Sequence, residues 1–131
     1  MSDTHLFEGT LAWHGQPAGR PFTYETYARA TRIEFEGGAA IEASAPAVFH
    51  GEDAKPNPET LMMASLMQCH FLTFMAIAAK SRVEVTGYTD RATGTLGKKD
   101  GRIRFVEVVL RPRVRLAAPV DAEKFRSMHE K

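Results

Sequence analysis

The sequence contains one cysteine, Cys69, in 131 residues. A single thiol excludes an internal disulfide framework and points away from secretion. Residues 1–5, Met-Ser-Asp-Thr-His, lack the basic-then-apolar pattern of a signal peptide, so a cytoplasmic chain is expected. Charge of either sign is not in excess: 17 Lys and Arg against 16 Asp and Glu leave a formal charge of +1. That balance argues against a nucleic-acid partner held through a basic surface and against a polybasic membrane anchor. His5, His14, His50, His70 and His129 show no zinc-type spacing, and no Cys-x-x-Cys pair is present, so no metal is expected. Glycine pairs fall only in hairpins, which leaves no phosphate-cradling loop and no dinucleotide fingerprint. No repeat, low-complexity tract or linker divides the chain, and 44% apolar with 25% charged residues is ordinary globular usage. One domain over residues 1–131 is the expectation.

What is there begins with strands and turns. Phe7, Leu11 and Trp13 share one parity around Gly9, and residues 15–21 carry turn chemistry. Residues 24–36 alternate, with Tyr27, Arg29, Thr31, Ile33 and Phe35 on one face. Gly37-Gly38 then closes a hairpin onto Ile41, Ala43 and Ala45. Residues 46–58 read as a loop. Asn57-Pro58-Glu59 is a helix start, with an N-cap residue type, proline at the first helical position and an acid facing the helix dipole. The helix should run to Lys80 or Arg82. Residues 83–96 and 102–116 follow as two long strands joined by a hairpin at residues 97–101, with Pro112 marking an edge or a strand end. A last helix begins at Val120 or Asp121 and carries an apolar stripe of Val120, Phe125 and Met128. It reaches Lys131 without a stop signal, so we expect the chain to be C-terminally truncated within this helix.

Residues 61–79 are apolar nearly all round, broken mainly by Ser65, Gln68, His70 and Thr73. This just reaches the roughly 20 residues that a membrane span needs. Gln68 and His70 would then lie near mid-bilayer, and the flanking alternating strands suit a soluble sheet better. A helix apolar on every face in so small a domain needs more cover than one sheet provides, and a homodimer is the simplest source of it. No membrane partner is expected.

Two readings of Cys69 stand on the residues alone. Mid-helix among Met62, Ser65, Leu66, Leu72, Thr73 and Ala76, it suits a small buried hydrophobe. A reactive thiol would instead need partial exposure and a nearby cation. His70 is a poor candidate for that cation, because successive helical residues point about 100° apart. Arg29 is a better one, since it shares a strand face with Tyr27, Ile33 and Phe35 and so directs a guanidinium toward the apolar side. Such an arginine has a carboxylate partner or a function, or else it snorkels past the sheet edge. Met62, Met63, Met67 and Met75 fit core filler, and equally a flexible apolar pocket.

Several segments, taken in order from about residue 24 to 131, resemble the OsmC/Ohr family of osmotically inducible and organic hydroperoxide resistance proteins. The most specific is Asn57-Pro58-Glu59-x-Leu61 followed by an apolar helix carrying Cys69-His70. Tyr27-x-Arg29 and Phe35-x-Gly37-Gly38 resemble the family's N-terminal hairpin. Val85-x-x-Tyr88-x-Asp90-x-Ala92-x-Gly94 and Val108-x-Leu110-Arg111-Pro112 resemble its later strands. The resemblance implies an α+β, OsmC-like fold: an antiparallel sheet packed on a long central helix, in an intertwined homodimer. It implies a thiol-dependent peroxidase reducing organic hydroperoxides, with no cofactor beyond an external thiol reductant. Cys69 would be the peroxidatic cysteine, Arg29 its activating arginine and Glu59 the carboxylate that holds the guanidinium. A non-catalytic binding protein for an apolar ligand is the alternative. By the same resemblance a resolving cysteine follows a His-Glu pair on the last helix, whereas here His129-Glu130 is followed by Lys131. Thr31 stands where close relatives often have histidine, and Arg20 and Arg32 lie near enough to compete with Arg29 for the activating role.

Overall fold

A computed structural model describes residues 4–130 of the chain. Met1 to Asp3, part of the segment read for a leader, and Lys131, where the helix stop is missing, lie outside the described residues. The architecture is α+β, and the chain divides into two units between Pro58 and Glu59.

The first unit is a three-stranded antiparallel meander of β1 (Gly9–Ala12), β2 (Thr31–Phe35) and β3 (Ala40–Ala43), in that spatial order. Ile33 pairs with Leu11 on one side and Ile41 on the other, so the apolar positions line up across the ladder. The β2–β3 hairpin closes where the glycine pair predicts: Gly37 and Gly38 adopt φ of 90° and 99°, which glycine reaches without steric cost.

The expected strand over residues 24–36 is shorter than its alternation suggests. Residues 24–27 form a turn and a bend and residues 28–30 are irregular, because side chains capture their backbone groups before a ladder can. The Gln16 amide donates to the Pro21 and Thr26 carbonyls at 2.8 and 2.9 Å and accepts from the Ala28 N–H at 2.9 Å. Thr23 and Thr26 cap each other's turn, and the Trp13 indole donates to the Ala28 carbonyl at 2.8 Å.

In the second unit, α1 (Pro58–Lys80) is unbroken and ends as a Schellman motif. The Val83 N–H bonds back to the Ala78 carbonyl at 2.8 Å and the Arg82 N–H to Ala79 at 3.1 Å, with Arg82 left-handed at φ 59°. Phe74 and Ala78 of α1, Val83 and Met128 form the buried core, packed by Val85, Tyr88, Val114, Leu116 and Phe125 among others.

The two long strands expected after the helix are each interrupted. β4 (Val85–Asp90) pairs with β7 (Pro112–Leu116), and β5 (Thr93–Lys99) pairs with β6 (Arg102–Val109), as two separate ladders. Register carries through the break, from Asp90 opposite Pro112 to Thr93 opposite Val109. Pro112 has no N–H to donate, and the Asp90 carboxylate accepts the Arg111 N–H at 2.8 Å in place of a ladder bond. The β5–β6 turn is also tighter than expected. Asp100 and Gly101, at φ 54° and 77°, make the bend, and residues 97–99 belong to β5. A bulge near Thr95 and Leu96 leaves Val106 without a cross-strand partner. The last helix, α2 (Ala122–Glu130), sends Met128 into the core.

Candidate active site

Cys69 is exposed on α1 in the single chain and lies outside the buried core of its unit. It opens onto a cavity of about 430 Å³ inside the second unit. Leu66, Thr73 and Phe74 of α1 line the cavity with Val108 of β6, Leu110 and Met128 of α2, a mostly apolar wall. His70, His129 and Glu130 complete it. The cavity is wide enough to take in both Cys69 and its helix neighbour His70, although the two residues leave the helix in different directions.

His70 is not alone there. Its Nε2 lies 2.9 Å from Nδ1 of His129, and the two rings are close to parallel. His129 is itself stacked on buried Phe74 at 4.2 Å and meets Phe125 edge-on at 4.8 Å. Burial holds the His129 imidazolium below the usual histidine range, and nearby His70 pushes the same way. The sequence reading missed this pair because its members lie far apart in the chain. The one local signal was that His129 follows Met128 and Phe125 on the apolar stripe of α2.

Glu59 sits in the first turn of α1, and one of its carboxylate oxygens, Oε2, is buried without a hydrogen-bond partner. A buried, unpaired carboxylate oxygen is costly and calls for a donor. Ten residues of unbroken helix put Glu59 roughly 15 Å from Cys69 along the axis, so the two do not touch within one subunit.

Arg29 lies in the first unit. Its guanidinium donates to the Tyr27 carbonyl at 2.7 Å and to the Tyr24 carbonyl, and lies over the Tyr27 ring at 3.6 Å from its centroid. Among the described residues no carboxylate pairs with it. Arg32 differs: Glu34 and Glu42 engage it at 3.0 and 2.8 Å on the open face of the meander. Those hydrogen bonds, Glu42 first, raise its pKa further. Among the described residues no cluster of three or more His, Cys, Asp or Glu side chains could hold a metal ion.

Residues 50–131 match the OsmC-like protein family. The fold is similar to that of an OsmC-like protein of unknown function from Vibrio cholerae, at a TM-score of 0.85 and 35% identity, over 97% of this chain and 86% of that one. It is also similar to an organic hydroperoxide resistance protein from Elizabethkingia anophelis. There the TM-score is 0.72 and the identity 19%, over 100% of this chain and 83% of the other, a likeness of fold. No curated protein matches.

Proposed function

Because the chain belongs to the OsmC-like protein family, we propose that it is a thiol-dependent peroxidase that reduces organic hydroperoxides to alcohols. The observation that carries this reading is Cys69 itself, exposed on the central helix at an apolar cavity. The Cys69 sulfur attacks the terminal peroxide oxygen, the O–O bond breaks, and the products are an alcohol and a sulfenic acid on Cys69. An external thiol, in a reducing cytoplasm, then returns the sulfenate to thiol. An alkyl hydroperoxide fits a wall built from Leu66, Phe74, Val108, Leu110 and Met128 better than hydrogen peroxide does.

Arg29 and Glu59 are the proposed activating pair. Arg29 is chosen over Arg32 because no carboxylate among the described residues occupies its guanidinium, and Glu59 because it carries an unpartnered buried oxygen. Since helix length separates Glu59 from Cys69, Glu59 or Arg29 reaches the thiol of a second copy across a homodimer interface. The apolar residues Met62, Leu66 and Leu72, exposed on α1, support such a dimer.

The test is consumption of cumene and tert-butyl hydroperoxides against hydrogen peroxide, with a reducing dithiol present. Faster turnover of the organic substrates, lost in Cys69→Ser, is the expected result. No turnover, together with apolar-ligand binding indifferent to Cys69→Ser, would identify a binding protein instead.

A further inference from the structure

The peroxidase reading leaves one group of the cavity unused, the bonded imidazoles of His70 and His129. When a thiol reduces a hydroperoxide, an alkoxide leaves, and an alkoxide is a poor leaving group unless it receives a proton. Cys69, His70 and His129 line the same cavity. Resting on the peroxidase reading, we propose that the His70–His129 pair is a proton relay that carries the Cys69 thiol proton to the departing alkoxide.

The hydrogen bond between His70 Nε2 and His129 Nδ1 sets the rules of the relay. Only one of these two facing nitrogens carries a hydrogen, so a neutral pair has one donor and one acceptor on its outer nitrogens, His70 Nδ1 and His129 Nε2. Neither outer nitrogen has a hydrogen-bond partner among the described residues. A proton accepted at one outer nitrogen shifts the central hydrogen across the 2.9 Å bond and frees a proton at the other. The step balances. The S–H and O–O bonds break, and S–O and alcohol O–H bonds form. Sulfur is oxidised, the peroxide is reduced, and the thiol proton that enters the pair is matched by the proton that leaves it.

The surroundings suit a neutral relay. Stacking on Phe74 and the edge contact with Phe125 fix the plane of the His129 ring. Burial, and then the neighbouring His70, disfavour the charged form of that imidazole. The other titratable groups lining the cavity are Cys69 of α1 and Glu130 of α2; Val108 of β6 and Leu110 carry no charge. Tyr88 of β4 approaches Phe74, and its own ionisation is pushed up by burial and by Asp90.

The relay predicts a dependence on the leaving group, which a merely structural role would not produce. His70→Gln keeps an amide near the Nε2 position, and His129→Asn near Nδ1, so each preserves bonding while ending the relay. Rapid-mixing measurements would follow Cys69 oxidation by tert-butyl hydroperoxide, whose alkoxide needs a proton, and by peracetic acid, whose acetate does not. The expected result is a fall of about 10²-fold or more with tert-butyl hydroperoxide in each variant, and a far smaller fall with peracetic acid. Equal losses on both substrates, or no loss, would overturn the relay. Near-UV circular dichroism that matches the wild type checks that both variants are folded. A wild-type protein whose Cys69 reacts with neither peroxide would overturn the peroxidase reading and the relay with it.

Discussion

At the scale of single residues, the contrast between Arg29 and Arg32 is the sharpest available. Both are arginines of the first unit, yet one rests on tyrosine rings and main-chain carbonyls while the other is bound by two carboxylates. Arg29→Gln should slow Cys69 oxidation by about 10²-fold, the scale of losing one strong donor at a developing negative charge. Arg32→Gln should leave the rate within about two-fold, since an exposed ion pair contributes little. Stopped-flow oxidation of the two variants by cumene hydroperoxide checks both. Cys69, Glu59 and Arg29 could be nominated from the sequence because each stands in a local motif. The imidazole pair was not, since only tertiary packing brings α2 onto α1, and the Cys69–His70 dipeptide suggested divergence rather than a shared cavity.

His129 also gives a pH dependence with a definite sign. Its folded-state pKa lies below the ordinary value of 6.5, so the unfolded chain binds the proton more readily. Stability from this group is therefore complete above about pH 6.5 and is lost as pH falls from there through the lower folded value. Urea unfolding at pH 7.5 and 5.0 should show a loss in the wild type that is smaller in His129→Asn.

At the scale of elements, α1 was legible in full because its start, its stop and its apolar body are all local signals. The means of its ending were not, for nothing in the sequence marks Arg82 as left-handed. A non-glycine residue there carries a cost of about 1 kcal/mol, so Arg82→Gly should stabilise the fold by a similar amount in urea titrations. Phe74, 1% exposed and touching Tyr88, Phe125 and His129, marks the opposite limit. Phe74→Ala should cost about 3–5 kcal/mol, read from the same titrations. The strands were legible as a hairpin but not as two ladders. Hydrophobic alternation runs through residues 102–116, while the interruption depends on Asp90 reaching the Arg111 N–H across the chain. Residues 24–30 failed in the opposite way: they alternate like a strand, yet Gln16, remote in sequence, holds their backbone.

At the scale of the whole molecule, α1 is long and apolar enough by composition to cross a membrane, and only Phe74 and Ala78 of it are buried in the single chain. Membership of the OsmC-like family assigns it instead to the central helix of the fold. The exposed side chains of Met62 and Leu72, each 55% accessible, are the places where a second copy would be felt first. Sedimentation should give a dimer, and Met62→Lys with Leu72→Lys should shift it toward monomer. Mixing Cys69→Ser with Glu59→Ala subunits should then restore part of the peroxidase rate, because one hybrid site keeps both groups. No recovery in verified heterodimers would count against shared sites.

The interrupted hairpin also has a kinetic meaning. β4 and β7 send Val85, Tyr88, Val114 and Leu116 into the core, whereas among the described residues none of β5 or β6 packs in it. The outer ladder is therefore a separate unit of local unfolding, and its amide protons should exchange with deuterium well before those of the inner one. Val108 and Leu110, at the root of that outer ladder, form one wall of the cavity. Fluctuation of those two strands would thus vary the width of the cavity's mouth.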